Sequence, residues 1–156
     1  MVNVGIDIGA KGALCILDTS NSNTSICFVD YSKVGLNGYI NALKNLQTDN
    51  IIVELVHSMP KQGVASMFSF GQRFGEVIGI LTALNKNYIL VTPQKWQKEL
   101  NLMPKATKKQ IASTILDIYP QANLLGNRGG LLDGRSDALA LAHYGFLKGN
   151  KCYSKN

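Results

Sequence analysis

Residues 2–12 read VNVGIDIGAKG, and this stretch decides the fold. Val2, Val4, Ile6 and Ile8 are apolar at every second position, and Asp7 is the lone acid among them. A strand this apolar belongs at the centre of a sheet. A carboxylate there loses solvation worth several kcal/mol unless a cation or hydrogen-bond donors compensate it. Gly9 and Gly12, on either side of Ala10 and Lys11, mark a tight turn into a second strand, GALCILD, that ends at Asp18. Two readings of Asp7 stand at this point: a strand-end carboxylate accepting backbone N–H bonds, or a metal ligand. The second requires further acids elsewhere in the chain.

Working outward, 156 residues suit a single domain over 1–156 with one well-filled core. The hydrophobic content of 46% against 17% charged residues is that of an ordinary globular protein. No apolar run approaches the ~18 residues of a membrane span, and a basic region followed by a signal-type apolar stretch is absent from the first residues. The expectation is a cytoplasmic protein without membrane contact. Cys15, Cys27 and Cys152 are odd in number and lack metal-type spacing, which reads as reduced thiols.

The net charge of +6 is unevenly placed. Residues 1–94 hold six basic side chains (Lys11, Lys33, Lys44, Lys61, Arg73, Lys86) and six acidic ones. Residues 95–156 hold ten basic side chains against four acids, Glu99, Asp117, Asp133 and Asp137. A one-sided basic surface attracts a phosphate backbone, although basic surfaces also serve solubility alone.

Three strands come first, Val2–Ile8, Gly12–Asp18 and Thr24–Tyr31, joined as an antiparallel meander through the turn residues DTSNSN. Apolar spacing from Leu36 to Leu46 predicts a helix, and Ile51–Val56 (IIVELV) a fourth strand around Glu54. A loop over 58–66 leads into a helix from about Ser66 to Leu84, in which Gly71, Gly75 and Gly79 recur every fourth residue. Glycine costs about 1 kcal/mol against alanine inside a helix. Three in register therefore imply a close approach, either by the chain's own sheet or by a second copy. A fifth strand, Tyr88–Val91, ends at Thr92 and Pro93, an N-cap and first-turn pair that opens a short helix to Leu100. Helices over Lys105–Ile118 and Gly134–Leu147 flank an irregular segment, 119–132. The order predicts an α/β protein: a five-stranded mixed sheet, antiparallel meander then parallel strands, flanked by helices.

Two acids, Asp7 and Glu54, now sit in apolar strands that a helical crossover makes parallel neighbours. Asp133 and Asp137, four residues apart, share one helix face. Asp133 also reads as an N-cap beside Gly134, whereas Asp137 runs directly into ALALA and faces inward. Four carboxylates without a matching buried cation repel one another. Divalent ions resolve this, because Mg²⁺ takes carboxylate oxygens and keeps positions open for phosphate oxygens. Two ions roughly 4 Å apart activate a water and stabilise the leaving oxygen in phosphodiester cleavage. Trp96 and His143 read as helix-packing residues, and His57 as an ordinary strand-end histidine.

The segments GIDIGAKGALCIL, IIVEL, SMFSFGQRFGEVIGIL, VTPQKW, KATKKQ and DGRSDALALAHYG, in this order, resemble the RuvC-type Holliday junction resolvases, in their compact phage-like form. The resemblance covers almost the whole chain. It implies an RNase H-like fold, a homodimer, and paired nicking of four-way and possibly other branched DNA junctions in recombination and repair. It also implies Mg²⁺ or Mn²⁺ as cofactor, two per active site. Asp7, Glu54 and Asp137 match the family's metal ligands, with Asp7 bridging and Asp133 as a fourth. In one departure, bacterial members space the last pair three apart rather than four. The glycine helix matches the family's dimer helix. Lys105 and Lys108 fall where catalytic lysines stand, and Lys61, Arg73, Lys105, Lys108, Lys109 and Arg135 are candidate DNA contacts. Where the family carries a stacking phenylalanine after the glutamate, this chain has His57, Ser58 and Met59, with Phe68 and Phe70 further on. Two alternatives remain. One is a non-catalytic junction-binding protein on the same fold. The other is an actin-like or sugar-kinase ATP-binding domain, whose first phosphate loop GIDIGAKGALCIL also resembles.

Overall fold

The first strand, β1 (Val2–Ile6), is buried from Asn3 onward and is paired on both sides. It runs antiparallel to β2 (Ala13–Asp18), which in turn pairs antiparallel with β3 (Ser25–Asp30). On its other side it runs parallel to β4 (Asn50–Glu54), and β4 runs parallel to β5 (Ile89–Val91). The sheet order is β3-β2-β1-β4-β5, the mixed five-stranded sheet that the sequence predicts. The structure, a computed structural model, describes residues 1–55 and 63–153, and side chains up to residue 149. Lys61 and His57 lie outside the described residues, as does the segment around Ser58 and Met59.

Side chains alternate across the sheet as the pleat demands. Val4, Ile6, Leu14, Ile51 and Val53 face α1 (Tyr31–Leu43) and α2 (Val64–Ala83). Ala13, Cys15, Leu17, Ile52 and Val91 face the opposite layer. That layer holds α3 (Pro93–Glu99), α4 (Lys108–Ile118) and α5 (Asp133–Tyr153). The run from Ala138 to Ala142 is fully closed from solvent, so α5 is the central helix of its layer. Gly5 permits this. A Cβ there would stand 2.0 Å from the Ala138 carbonyl oxygen and 2.4 Å from the Ala142 nitrogen.

Several boundaries differ from the sequence reading. β1 ends at Ile6 and β4 at Glu54, so both acids lie at strand ends rather than within strands. α1 starts at Tyr31, directly after β3, and is broken at Gly35 with φ +56°; the periodicity from Leu36 marks only its second part. α4 starts at Lys108 instead of Lys105, because Thr107 caps it. The Thr107 hydroxyl accepts from the Gln110 N–H at 3.3 Å, and the Gln110 side chain accepts from the Thr107 N–H at 2.8 Å. Lys105 sits in the preceding turn at φ +62°.

Gly71, Gly75 and Gly79 lie on the exposed side of α2, and a Cβ built on any of them would meet nothing within 4 Å. The helix reaches the core through Val77, Ile80 and Leu81 instead. Packing of the glycine stripe on the chain's own sheet is thereby overturned.

Candidate active site

The parallel register of β1 and β4 ends with Ile6 opposite Val53. One residue further, Asp7 and Glu54 stand side by side at the carboxyl ends of the two central strands, the edge where α/β sheets place ligands. The turn after Asp7 is tight. The Asp7 N–H donates to the Ala13 carbonyl at 3.0 Å, and the Gly12 N–H to Gly9 at 3.1 Å. A side chain at Gly12 would stand 2.3 Å from the Asp7 carbonyl oxygen. Gly134, in the first turn of α5, lies against the same turn, its Cβ position 2.1 Å from the Lys11 carbonyl oxygen. Two glycines in contact thus bring the start of α5 down onto Asp7, and Asp137 follows one helical turn later.

Glu54 is 7% exposed and accepts a hydrogen bond from the Trp96 indole Nε1 at 3.1 Å. Trp96 is a core residue, as the sequence reading holds, and it also orients the glutamate. That role had no sequence signal beyond its place in the helix following β5. Asp137 is 3% exposed. Its Oδ2 accepts from the Lys108 ammonium, while its Oδ1 is buried with no hydrogen-bond partner. Lys108 also lies 3.9 Å from the half-exposed Asp133 carboxylate.

These charges act on one another. Burial, then the charges of Glu54 and Asp137, hold the Asp7 carboxyl well above the usual carboxylate range. Glu54 is raised by burial against the lowering effect of the Trp96 donor, and its carboxyl shares a hydrogen bond with that of Asp7. Asp137 is raised by burial despite Lys108. Burial works against the Lys108 ammonium, but attraction to Asp137, Asp7 and Asp133 prevails and raises it. The cluster is therefore short of positive charge. Among the described residues no three His, Cys, Asp or Glu side chains stand close enough together to hold a metal ion as they are placed. The carboxylates form an open set with the lysine among them. All-oxygen donors and the unpartnered Asp137 Oδ1 suit a hard divalent cation.

The remaining sequence candidates fall elsewhere. Lys105 and Lys109 are exposed, on the turn before α4 and on its first turn. The Arg73 guanidinium donates to the Ser69 carbonyl at 3.3 Å within α2. Arg135 is committed to the fold. Its Nε and Nη2 grip Asp30 at 2.7 and 2.8 Å, its Nη1 donates to the Asn123 carbonyl, and it lies over the Phe28 ring. His143 Nδ1 is 2.7 Å from the Tyr119 hydroxyl in a buried pair, away from the carboxylates. Phe68 is 75% exposed at the start of α2, whereas Phe70 packs against the core. No described helix is long and apolar enough to cross a membrane.

No protein-family model and no curated protein sequence matches the chain. Solved structures do. The structure of Thermus thermophilus RuvC matches with a TM-score of 0.68 at 17% identity, over 96% of this chain and 97% of that one. RuvC of the same organism in complex with a Holliday junction substrate matches with a TM-score of 0.67 at 14% identity, over 97% and 96%. The fowlpox virus Holliday junction resolvase matches with a TM-score of 0.55 at 17% identity, over 96% and 99%. At these identities the likeness establishes the fold, which is that of the RuvC-type, RNase H-like resolvases.

Proposed function

We propose that the chain is a structure-selective DNA endonuclease that nicks four-way junctions, and other branched DNA, by divalent-metal catalysis. The observation that carries this reading is the meeting of Asp7, Glu54 and Asp137 at one sheet edge, on a fold shared with junction resolvases. Asp7, Glu54 and Asp137 would hold the metal, Mg²⁺ or Mn²⁺ in a pair, with Asp133 at the rim. Bound there, such ions supply an activated water and stabilise the leaving oxygen. The chain's own residues do the rest. Trp96 fixes the Glu54 carboxylate, α5 orients Asp137, and Lys108, with its ammonium already at the carboxylates, is the cation placed to meet a phosphate. Lys105 and Lys109 extend positive charge along the same side of the chain's basic half.

The open glycine face of α2 supports pairing of two copies, which would present two sites to symmetric strands. The ATP-binding alternative loses support at the β1–β2 turn. Gly134 packs against the Lys11 carbonyl there, where a nucleotide phosphate would need the loop open.

The test is incubation of a labelled four-way junction, a linear duplex and a replication fork with the protein, in Mg²⁺ and in EDTA. Paired metal-dependent nicks in the junction and not in the duplex are expected. Binding without nicks would favour the non-catalytic reading.

A further inference from the structure

A concave surface leaves the carboxylate site beside the start of α5. Its nearer part, a hollow of about 380 Å³, is bounded by Asp133, Lys11 and Lys33. Its farther part, about 480 Å³, is bounded by Lys33, Arg128 and the glycine-rich turn over 126–130. Leu131, Leu132 and Arg135 line both, so the two parts form one trough.

The trough's charge is positive beyond Asp133. Asp30 is already matched by the two-pronged grip of Arg135, and Lys33 adds a second cation to it at 2.8 Å from the solvent side. Among the described residues Lys11 and Arg128 form no ion pair. The turn that carries Arg128 is closed on itself by Gly126 N–H to Gly130 O and Gly129 N–H to Gly126 O, each 2.8 Å. Gly129 has φ +74°, and Cβ atoms at Gly129 and Gly130 would meet nothing within 4 Å, so the backbone there is open to close approach. None of these three cations is needed to hold the core.

The carboxylates repel a phosphate chain on their own, so affinity for its flanking phosphates must come from cations outside the cluster. We infer that this trough carries the phosphodiester backbone of the DNA arm leading away from the cleaved bond, with Lys11, Lys33 and Arg128 as phosphate contacts. The inference rests on the nuclease reading and extends it to a path for the substrate. A phosphate at Lys33 displaces little, because Asp30 keeps Arg135.

The test is equilibrium binding of a fluorescent four-way junction in EDTA, across a series of salt concentrations, with thermal melting of each variant alongside. Each lost phosphate contact lowers the slope of log K against log salt by about 0.9 on duplex arms. The double variant Lys33→Gln/Arg128→Gln is expected to bind roughly 10-fold more weakly at ~0.1 M salt and to lose one to two units of slope. Lys44→Gln, on the opposite layer after α1, is expected to match the wild type. Affinity and slope unchanged in a folded double variant, while the wild type binds, would overturn the trough and leave the nuclease reading standing. Absence of junction binding by the wild type would overturn both.

Discussion

The Lys108 ammonium donates to Oδ2 of Asp137 across the gap between α4 and α5, and stands 3.9 Å from Asp133. One lysine thus serves as counter-charge to a cluster of four carboxylates, three of which burial drives toward the protonated form. A cluster so balanced gains from any further cation that enters it.

Lys108→Gln removes that counter-charge. The lysine side chain is 55% exposed, so solvent screens the pair, and the expected loss is about 1 kcal/mol in urea unfolding of the metal-free protein at neutral pH. Because its folded pKa is raised, this contribution is present below its unfolded pKa and fades as the pH climbs into the alkaline range. Single-turnover nicking of a junction is expected to slow by roughly 100- to 1,000-fold, the range of one lost electrostatic contact to the reacting centre.

Asp7→Asn is expected to stabilise the metal-free protein. A carboxyl whose folded pKa is raised binds its proton more tightly folded than unfolded, so ionisation destabilises the fold as the pH rises above the unfolded value. The melting temperature should rise by roughly 2–6 °C at pH 7 and by much less near pH 4.

Asp30→Asn works in the opposite direction. The Arg135 grip, aided by Lys33, lowers the Asp30 carboxyl to about 2. Its contribution is fully present above the unfolded pKa near 3.8 and is lost as the pH falls through the folded value. The side chain is only 11% exposed, so about 2 kcal/mol of stability should disappear at pH 7 in the variant. The gap between variant and wild type should close between about pH 4 and pH 2.

Two glycines separate packing within the chain from packing between chains. Gly5→Ala drives a Cβ into the backbone of α5 and should cost more than about 4 kcal/mol, read as loss of soluble folded protein. A Cβ at Gly75 meets nothing within 4 Å, so Gly75→Phe starts from an open position on α2. On the proposed pairing through α2, the wild type should sediment as a dimer and the variant as a monomer, with the fold kept by circular dichroism.

Much of this was legible in the chain. Asp7 and Glu54 announce themselves as acids in apolar strands, and the length of the crossover makes those strands parallel neighbours. Asp137 is legible because the fully apolar run after it forces its helix inward. Complementarity between distant segments leaves no such trace. Arg135 and Asp30 are 105 residues apart, and nothing local marks Arg135 as the partner of Asp30. The Trp96 donor to Glu54 depends on how α3 folds back beside β4, which periodicity does not encode. The helix expected from Lys105 starts instead at Lys108, where the Thr107–Gln110 capping box sets its boundary. The glycine stripe is visible in the sequence, but its direction is set by Val77, Ile80 and Leu81, which hold α2 to the core.

The most direct measurement is single-turnover cleavage of a labelled four-way junction in Mg²⁺ by wild type and by Asp7→Asn, Glu54→Gln and Asp137→Asn, at equal DNA occupancy. The wild type is expected to nick, and each variant to bind the junction while cutting at least about 1,000-fold more slowly, as loss of a group acting on the reacting phosphate requires. Cutting by Asp7→Asn at the wild-type rate would contradict the assignment of the three carboxylates as one catalytic set.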